Sequence, residues 1–385
     1  MAGEAISADG ITDPLETLRS IFCSKPYEVS KGVYVRCQSR RSSACPSCAE
    51  LYRGDWARVA RSGIYDSDGQ PVLGFRYFFL TMSAPSFGRI HRVPKSSAER
   101  RRCHCGKAHS PEDVHLRGLP VDLDAYDYAG QVAWHVGLGR LWNASVSAMR
   151  DLVPDLEYCA VREVQARMAL HMHIIVRVPS TSLTTAKALG AVARRATAAH
   201  PVTGKQVAWG QRGVQDREIK SRHVDAPGTM PSDSAAAARV VRYVSKALNY
   251  SLKDINPGDS ADPPPERFAF VQRLRKAARF DVRCTKCSGR PGDCAGKAHS
   301  SIGYAGHTIS ISRPTTERPG WSFSGLTRAS LREQRRVWME ANASEHVGAG
   351  LGDLALFAAS WIREELTVRA YDAACSQPAR APSRR

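Results

Sequence analysis

Two histidines separated by one residue, His171 and His173, form the pattern in this sequence that is best suited to chemistry. The surrounding residues, HMHIIV, are typical of a β-strand, in which residues two apart point to the same face of a sheet. We therefore expect both imidazoles to project together while Met172 and Ile174 face the other way. Two adjacent imidazoles on a rigid strand can bind a divalent metal ion; a purely structural role is the alternative for such a pair.

Two side chains upstream of the histidines carry oxygens that could complete a metal site. Glu163 and Gln165 lie on one face of the preceding strand-like run. If residues 167–169 form a three-residue hairpin loop, Gln165 pairs with His171. Glu163 then pairs with His173. Either side chain would give a mixed nitrogen and oxygen site, which suits Mg²⁺ or Mn²⁺ with positions left open for a phosphate.

A tyrosine in an alanine-rich segment is the candidate nucleophile. Residues 234–252 predict a helix, in which Tyr243 and Lys246 lie three residues apart on one face. A phenol has a pKa of about 10 and is a weak nucleophile at neutral pH. A neighbouring ammonium favours the phenolate and can neutralise charge on a phosphoryl group. The alternative is a tyrosine that only packs the helix against its neighbours.

A histidine pair followed downstream by VRYVSK at 241–246 resembles the signature of the HUH endonucleases, and FLTMSAP at 79–85 is similar to their first motif. Histidines before the tyrosine is the order of rolling-circle replication initiators. More specifically, six blocks resemble the initiators of actinobacterial plasmids and integrative elements, in that family's order. They are CQSRRSSACPSCAELYRGD at 37–55, FLTMSAPSFG at 79–88, YDYAGQVAWHVGLGRLWN at 126–143, REVQARMALHMH at 162–173, VRYVSKALNY at 241–250 and IGYAGHTISISR at 302–313.

The chain departs from the family pattern at two places that affect the site. Members commonly show Arg-Gly before the histidines, where this chain has Arg167 and Met168. Many carry a second tyrosine four residues after the first, where this chain has Ala247. Tyr250 is a poor substitute, because seven residues of helix place it about 10 Å further along the axis. We therefore expect Tyr243 to be the single nucleophile.

The resemblance implies a central antiparallel sheet with the two histidines on its central strands and helices on the other side. It also implies a mechanism, in which a metal at the histidine pair polarises the scissile phosphate. Tyr243 then attacks, and leaves a 5′-phosphotyrosine and a free 3′-hydroxyl that primes synthesis, while Lys246 stabilises the phenolate. The implied partners are single-stranded or extruded origin DNA, with host helicase and polymerase as further candidates.

The 11 cysteines are grouped in a way that predicts metal binding. An N-terminal group with one Cys-x₂-Cys pair could form a closed tetrahedral zinc site from Cys23, Cys37, Cys45 and Cys48. A second structural zinc site could comprise Cys284, Cys287, Cys294 and His299, although the family shows a histidine at 299 without those cysteines. A third group, Cys103, Cys105 and His109, looks like a reduced zinc site and stays open. Cys159 lies within a strand and is expected in the core.

The charge of the chain favours a nucleic-acid partner. There are 55 lysines and arginines against 37 acidic residues, a net charge of +18. Such a chain is suited to a polyanion, although a basic solubilising surface is the alternative. No run of about 18 apolar residues predicts a membrane span, and the first residues lack the apolar stretch of a signal peptide. We expect a cytoplasmic protein without a membrane partner.

Together these features predict an α+β protein with an HUH core, a zinc-stabilised N-terminal module and a helical C-terminal region. The expected parts are a cysteine-rich module at 1–62, a nickase domain at 63–270 with an insertion at 86–122, a second cysteine-containing segment at 271–310, and a basic helical region with a disordered tail at 311–385. Strands are expected at 75–83, within 156–178 (two) and within 205–219. Helices are expected at 49–62, 126–150, 182–199, 234–252, 326–343 and 351–374, with a proline-rich linker at 259–267.

Three other functions fit parts of the same pattern. The same tyrosine chemistry serves transposition and plasmid mobilisation, and only the DNA that is nicked distinguishes them from replication. A non-catalytic zinc-containing DNA-binding regulator would bind DNA without forming a covalent adduct. A zinc-dependent hydrolase that uses His171 and His173 would give free 5′-phosphate ends and would tolerate Tyr243→Phe.

Overall fold

The computed structural model describes residues 23, 27–30, 33–40, 42, 44–99, 102–201, 203–211, 214–219, 264–281, 299 and 301–343. The predicted tyrosine helix, with Tyr243, Lys246 and Tyr250, lies outside these residues. So do Cys284, Cys287 and Cys294, the predicted helix at 351–374 and the C-terminal tail.

The described residues form strands and helices in mixed order. They are β1 (Tyr27–Ser30), β2 (Val33–Val35), α1 (Pro46–Arg61), β3 (Phe75–Ser83), α2 (Tyr128–Leu152), β4 (Glu157–Val164), β5 (Leu170–Pro179), α3 (Ala186–Arg195), β6 (Thr197–Ala199), β7 (Gln206–Ala208), β8 (Arg217–Glu218), α4 (Pro265–Asp281), β9 (Ile309–Ile311) and α5 (Arg328–Ala343). The expectation of an α+β protein is confirmed.

A five-stranded antiparallel sheet positions the histidines. Its strand order is β8-β3-β5-β4-β9, so that the histidine strand β5 lies in the middle. Strand β3 occupies Phe75–Ser83, as the aromatic run predicts, and pairs with β5 over its whole length. The expected antiparallel sheet with a central histidine strand is therefore confirmed within the part of the chain that the structure describes.

The two faces of β5 divide as the alternation of its residues predicts. Met172, Ile174 and Val176 are fully buried and belong to the main hydrophobic core. Helix α2 contributes the large side chains of the same core, including Trp134 and Trp142. Burial of this apolar surface fixes which face of β5 points away from the helix, because a shift of one residue would exchange the two faces. His171 and His173 consequently lie on the face opposite α2.

The hairpin between β4 and β5 has a different register from the predicted one. Glu163 pairs with His171, and the amide of Gln165 bonds to the carbonyl oxygen of Ala169. The loop is therefore 166–168 rather than 167–169. Its last residue, Met168, has a φ of 62°, the left-handed conformation that closes many three-residue hairpins. Glycine adopts this conformation without strain, which agrees with the glycine that the resembling family shows there.

Two further predictions about helices are wrong in their bounds. Helix α3 covers Ala186–Arg195 rather than 182–199, because Thr185 caps its start and residues 197–199 instead pair with β7. Residues 265–267 are not linker but the first turn of α4. Proline is well tolerated at the first helical position, where its missing N–H would have no partner in the helix. The proline-rich run thus begins a helix that sequence reasoning missed.

The chain divides into two compact units. One comprises residues 1–62, 67–69 and 324–385, and the other comprises 63–66 and 70–323. In the first, Asp55 of α1 is buried and accepts hydrogen bonds of 2.6 and 2.8 Å from both terminal nitrogens of Arg335 on α5. A two-pronged arginine–carboxylate pair of this kind fixes the orientation of the two helices within that unit.

In the second unit, buried His135 of α2 links the helix to the start of β5. Its Nδ1 lies 2.9 Å from the carbonyl oxygen of Ile302, and its Nε2 accepts a hydrogen bond of 3.4 Å from the amide of Leu170. Burial, above all, lowers the pKa of His135 to about 4. The side chain is therefore neutral, with its proton on Nδ1, and it holds the residue immediately before His171.

This depressed pKa gives a pH-dependent stability that can be measured. In the unfolded chain His135 takes up a proton below about pH 6.5, whereas in the folded chain it resists protonation until about pH 4, so stability falls as pH drops between those values. Between about pH 7 and pH 5 the loss should be about 2 kcal/mol. We expect urea denaturation to show this loss of unfolding free energy in wild type. In His135→Gln the loss over the same pH range should be smaller by about 2 kcal/mol. Equal losses for both proteins would contradict the assignment.

Candidate active site

The histidine strand brings together three of the predicted metal ligands. The rings of His171 and His173 are neighbours, with centroids 4.6 Å apart and planes at 77°. Oε2 of Glu163 lies 2.9 Å from Nε2 of His173, across the diagonal of the β4–β5 pair. Sequence reasoning left Glu163 and Gln165 open as the third ligand, and it is Glu163 that lies at the histidine pair.

Gln165 is engaged elsewhere. Its Oε1 accepts a hydrogen bond of 3.0 Å from Nε of Arg167 in the hairpin loop. The same guanidinium donates to the carbonyl oxygens of Ala84 and Pro85, at 2.8 and 2.7 Å. Gln165 and Arg167 therefore tie the loop to the segment that follows β3, and hold the hairpin in place beside the histidines.

Ser83 orients the first histidine. Its hydroxyl lies 2.7 Å from Nδ1 of His171, directly across the β3–β5 pair. This contact leaves Nε2 of His171 as the nitrogen that can bind a ligand. Burial first, and then the neighbouring His173, lower the pKa of His171 to about 4. The ring is therefore neutral at neutral pH, which is the form that binds metal ions.

The carboxylate is held in its charged form. The hydrogen bond with His173 is the main reason that the pKa of Glu163 lies below its usual value, and the nearby charge of Lys95 acts in the same direction. Its side chain keeps 32% of its surface exposed, so that it can be reached from solvent. Two imidazoles with an ionised carboxylate form a donor set that can bind a divalent cation.

An aromatic ring and an arginine that sequence reasoning missed complete the surroundings. Phe79 of β3 stacks on His173, with ring centroids 5.5 Å apart and planes at 20°. The guanidinium of Arg217, on edge strand β8, lies 5.3 Å from the centre of the Phe79 ring. Phe79 and Ser83 both belong to the FLTMSAP block. They lie two residues before and two residues after Thr81, so all three side chains face the same side of the strand, and this alternation could have identified them.

The N-terminal cysteines converge as the sequence predicts. Sγ of Cys23 lies 4.0 Å from Sγ of Cys45 and 3.7 Å from Sγ of Cys48. The four sulfur atoms, including that of Cys37, all lie within 4.8 Å of one another. Cys45 caps the start of α1, and its sulfur accepts a hydrogen bond of 3.5 Å from the amide of Cys48. This group could hold a metal ion within the first unit.

A second group lies in the insertion. The ligand atoms of Cys103, Cys105 and His109 also lie within 4.8 Å of one another, together with a fourth residue, His91, that sequence reasoning missed. His299, by contrast, is buried with Nδ1 at 3.1 Å from the carbonyl oxygen of Ala278. Its predicted cysteine partners lie outside the described residues. Cys159 is fully buried, as expected.

Among the described residues, these two cysteine-containing groups are the ones in which the possible ligand atoms all lie within 4.8 Å of one another. The set of His171, His173 and Glu163 is more open, because Glu163 is bonded to His173 while His171 is bonded to Ser83. A cation would replace the contact between Glu163 and His173.

Within the described residues, none of the helices combines the length and apolar character needed to cross a bilayer.

Comparison with known proteins gives two findings. A family model described as RepSA, replication initiator protein, pSAM2, matches residues 16–375. A replication initiator protein from Streptomyces ambofaciens is 32% identical in an alignment 281 residues long, which covers 62% of this chain and 59% of that protein. The match therefore covers less than two thirds of the relative's length. No solved structure gave a significant match to the chain.

Proposed function

Because the chain belongs to the RepSA family, whose description is replication initiator protein, pSAM2, we propose that it is a rolling-circle initiator. In this proposal the protein nicks one strand of origin DNA through a covalent bond to Tyr243. The observation that carries the proposal is that His171 and His173, on the middle strand of an antiparallel sheet, converge with Glu163 of the neighbouring strand β4. The same core architecture is expected of an HUH endonuclease.

The donor set at the histidine pair fits Mg²⁺ or Mn²⁺. One buried imidazole is neutral because of its low pKa, and the carboxylate supplies negative charge. These three side chains leave positions for phosphate oxygens or water, unlike a closed structural site. When bound, the cation would polarise the scissile phosphate and stabilise the charge that develops on it.

The residues of the chain perform the remaining steps. Tyr243 attacks the scissile phosphorus in line, so that a bond forms between its phenolic oxygen and phosphorus while the bond to the 3′ oxygen breaks. The phenol releases its proton to solvent, and the departing 3′ oxygen takes a proton from solvent to become the free 3′-hydroxyl, while the 5′ phosphate stays on the tyrosine. Lys246 stabilises the phenolate and the phosphoryl charge. Ser83 and the hairpin tie at Arg167 keep the ligands in position.

The rest of the molecule would grip DNA. The net charge of +18 suits binding to the phosphate backbone, which should weaken steeply with salt. The scissile segment must be single-stranded or extruded for its phosphate to reach the sheet.

We propose structural zinc at the Cys23, Cys37, Cys45 and Cys48 group, and at Cys284, Cys287, Cys294 and His299. Host helicase and polymerase would continue from the 3′ end, in the cytoplasm.

The direct test is a nicking assay with the full chain, Mn²⁺ and labelled single strands that tile the replicon encoding it. We expect one strand to give a covalent protein–DNA adduct on a denaturing gel, with a 3′-hydroxyl that a polymerase extends, and chelation to prevent both. Binding without an adduct would instead identify a non-catalytic regulator. Free 5′-phosphate ends without an adduct would identify a hydrolase. Cleavage at a transfer origin or at element ends would identify a relaxase or a transposase.

A further inference from the structure

We propose that the insertion binds a structural Zn²⁺ ion through His91, Cys103, Cys105 and His109, and that this ion holds the insertion against the β4–β5 hairpin. The first support is distance. Nδ1 of His91 lies 3.2 Å from Nε2 of His109 and 3.6 Å from Sγ of Cys103. Sγ of Cys105 lies 3.3 Å from Nε2 of His109.

These distances agree with a tetrahedron around one zinc ion. Bonds of about 2.3 Å to sulfur and about 2.0 Å to nitrogen separate two nitrogens by about 3.3 Å and a sulfur from a nitrogen by about 3.5 Å. The rings of His91 and His109 are nearly perpendicular, at 78°, so that their nitrogens can point to one centre without overlap. Two thiolates and two imidazoles form a closed set that selects zinc over magnesium, because soft ligands favour it.

The backbone around Cys103 and Cys105 forms a tight turn that is suited to binding a metal ion. The amide of Gly106 donates to the carbonyl oxygen of Cys103, and Arg102 pairs with Ala108 in a small antiparallel bridge. Gly106 has a φ of 85°, which only glycine adopts without strain in such a tight turn. The sulfur of Cys103 also accepts a hydrogen bond of 3.4 Å from the amide of Arg92. The turn therefore presents both sulfurs towards His91.

A carboxylate behind His109 supports the assignment of that ligand. Oδ2 of Asp113 lies 3.1 Å from Nδ1 of His109, on the side of the ring away from the other three ligands, and accepts a hydrogen bond from the amide of Ser110. Metal-binding histidines usually donate their second ring N–H to such an oxygen, which fixes the ring and makes the binding nitrogen more basic. Only 5% of the His109 side chain is exposed, so the surrounding residues fix the orientation of its ring.

The insertion touches the hairpin that carries the histidine site. A Cβ atom on Gly118 would lie 2.6 Å from the carbonyl carbon of Ala166, so the two backbones are in direct contact. The amide of His91 donates a hydrogen bond to the carbonyl oxygen of Leu119, and the amide of Gly118 donates one to the carbonyl oxygen of His91, so the zinc ligand is anchored next to this contact. Arg267 of α4 donates 2.7 Å hydrogen bonds to the carbonyl oxygens of both Ala166 and Arg117. A zinc ion at His91 therefore fixes the part of the insertion that braces the hairpin loop.

The test measures zinc in the purified full chain by mass spectrometry. We expect Cys103→Ser with Cys105→Ser to lower the content by one zinc per chain, and His91→Ala to do the same, while Cys159→Ala leaves it unchanged. Asp113→Asn should keep the fold and weaken zinc binding by about 10- to 100-fold in competition with a chelator. Unchanged zinc in the cysteine pair variant would overturn the proposal. Zinc loss in that variant but not in His91→Ala would exclude the fourth ligand.

A spectroscopic measurement on wild type covers the case in which these variants fail to fold. Cobalt-substituted protein should show the visible bands of tetrahedral coordination from a site with two sulfurs and two nitrogens, in addition to any four-sulfur site. A spectrum of four-sulfur coordination alone would overturn the proposal. For the bracing role, hydrogen exchange at the amides of Gln165 and Met168 should quicken in Asp113→Asn when a chelator is present. Unchanged exchange there would limit zinc to the insertion itself.

Discussion

Tyr243→Phe is expected to abolish the covalent protein–DNA adduct and to lower the nicking rate by at least about 10³-fold. Phenylalanine keeps the ring and removes the oxygen that must attack phosphorus, so side-chain packing is retained while the nucleophile is lost. The measurement is a single-turnover assay with the labelled strand in Mn²⁺, resolved on a denaturing gel. DNA binding at the same salt concentration should stay within about 2-fold of wild type, because the phosphate contacts of the basic chain are unchanged.

Tyr250→Phe is the matched control for this prediction. It makes the same chemical change one helical repeat along the predicted helix, and we expect it to form the adduct at nearly the wild-type rate. An adduct that survives in Tyr243→Phe and disappears in Tyr250→Phe would assign the nucleophile to Tyr250. Nicking without any adduct in all three proteins would contradict the tyrosine mechanism and support metal-dependent hydrolysis.

The sequence predicted those elements of the fold whose residues carry a strong local signal. The aromatic run at Phe75–Ser83 forms a strand with the predicted bounds, because its side chains are buried on both faces of the sheet. The alternation along HMHIIV likewise predicted which side chains of β5 enter the core. The cysteine spacing at Cys45 and Cys48 predicted a thiolate cluster, since the turn that starts α1 brings both sulfurs to one side.

The register of the hairpin could not be predicted in this way. Shifting the loop by one residue moves each pairing by two, so Glu163 and Gln165 stay on the same face and the hydrophobic pattern cannot decide between them. The deciding contacts are non-local: Met168 is buried in the core despite its positive φ, and Arg167 reaches the carbonyl oxygens after β3. His91 was missed for a similar reason, because backbone pairing with residues 118–119 is what brings it to the cysteines.

The corrected register leads to the second prediction, in which two residues of the β4–β5 hairpin, Glu163 and Gln165, should behave differently. Glu163→Gln is expected to slow nicking by about 10²-fold or more at low Mn²⁺, because it removes the negative charge beside His173 while keeping the size of the side chain. The cation concentration needed for half-maximal rate should rise. Nicking rates over a Mn²⁺ titration would separate this loss of metal affinity from a loss of maximal rate, and direct Mn²⁺ binding would provide an independent value.

Gln165→Ala is the control that makes this test decisive. It removes the oxygen that the alternative register would place at the metal, yet in the structure that oxygen accepts a hydrogen bond from the guanidinium of Arg167. Because Arg167 keeps its two bonds to Ala84 and Pro85, the hairpin should hold, and the Mn²⁺ dependence should stay within about 3-fold of wild type. A large shift in Gln165→Ala with none in Glu163→Gln would reverse the ligand assignment. A shift in neither would mean that two imidazoles hold the cation without a side-chain carboxylate or amide from β4 or its loop.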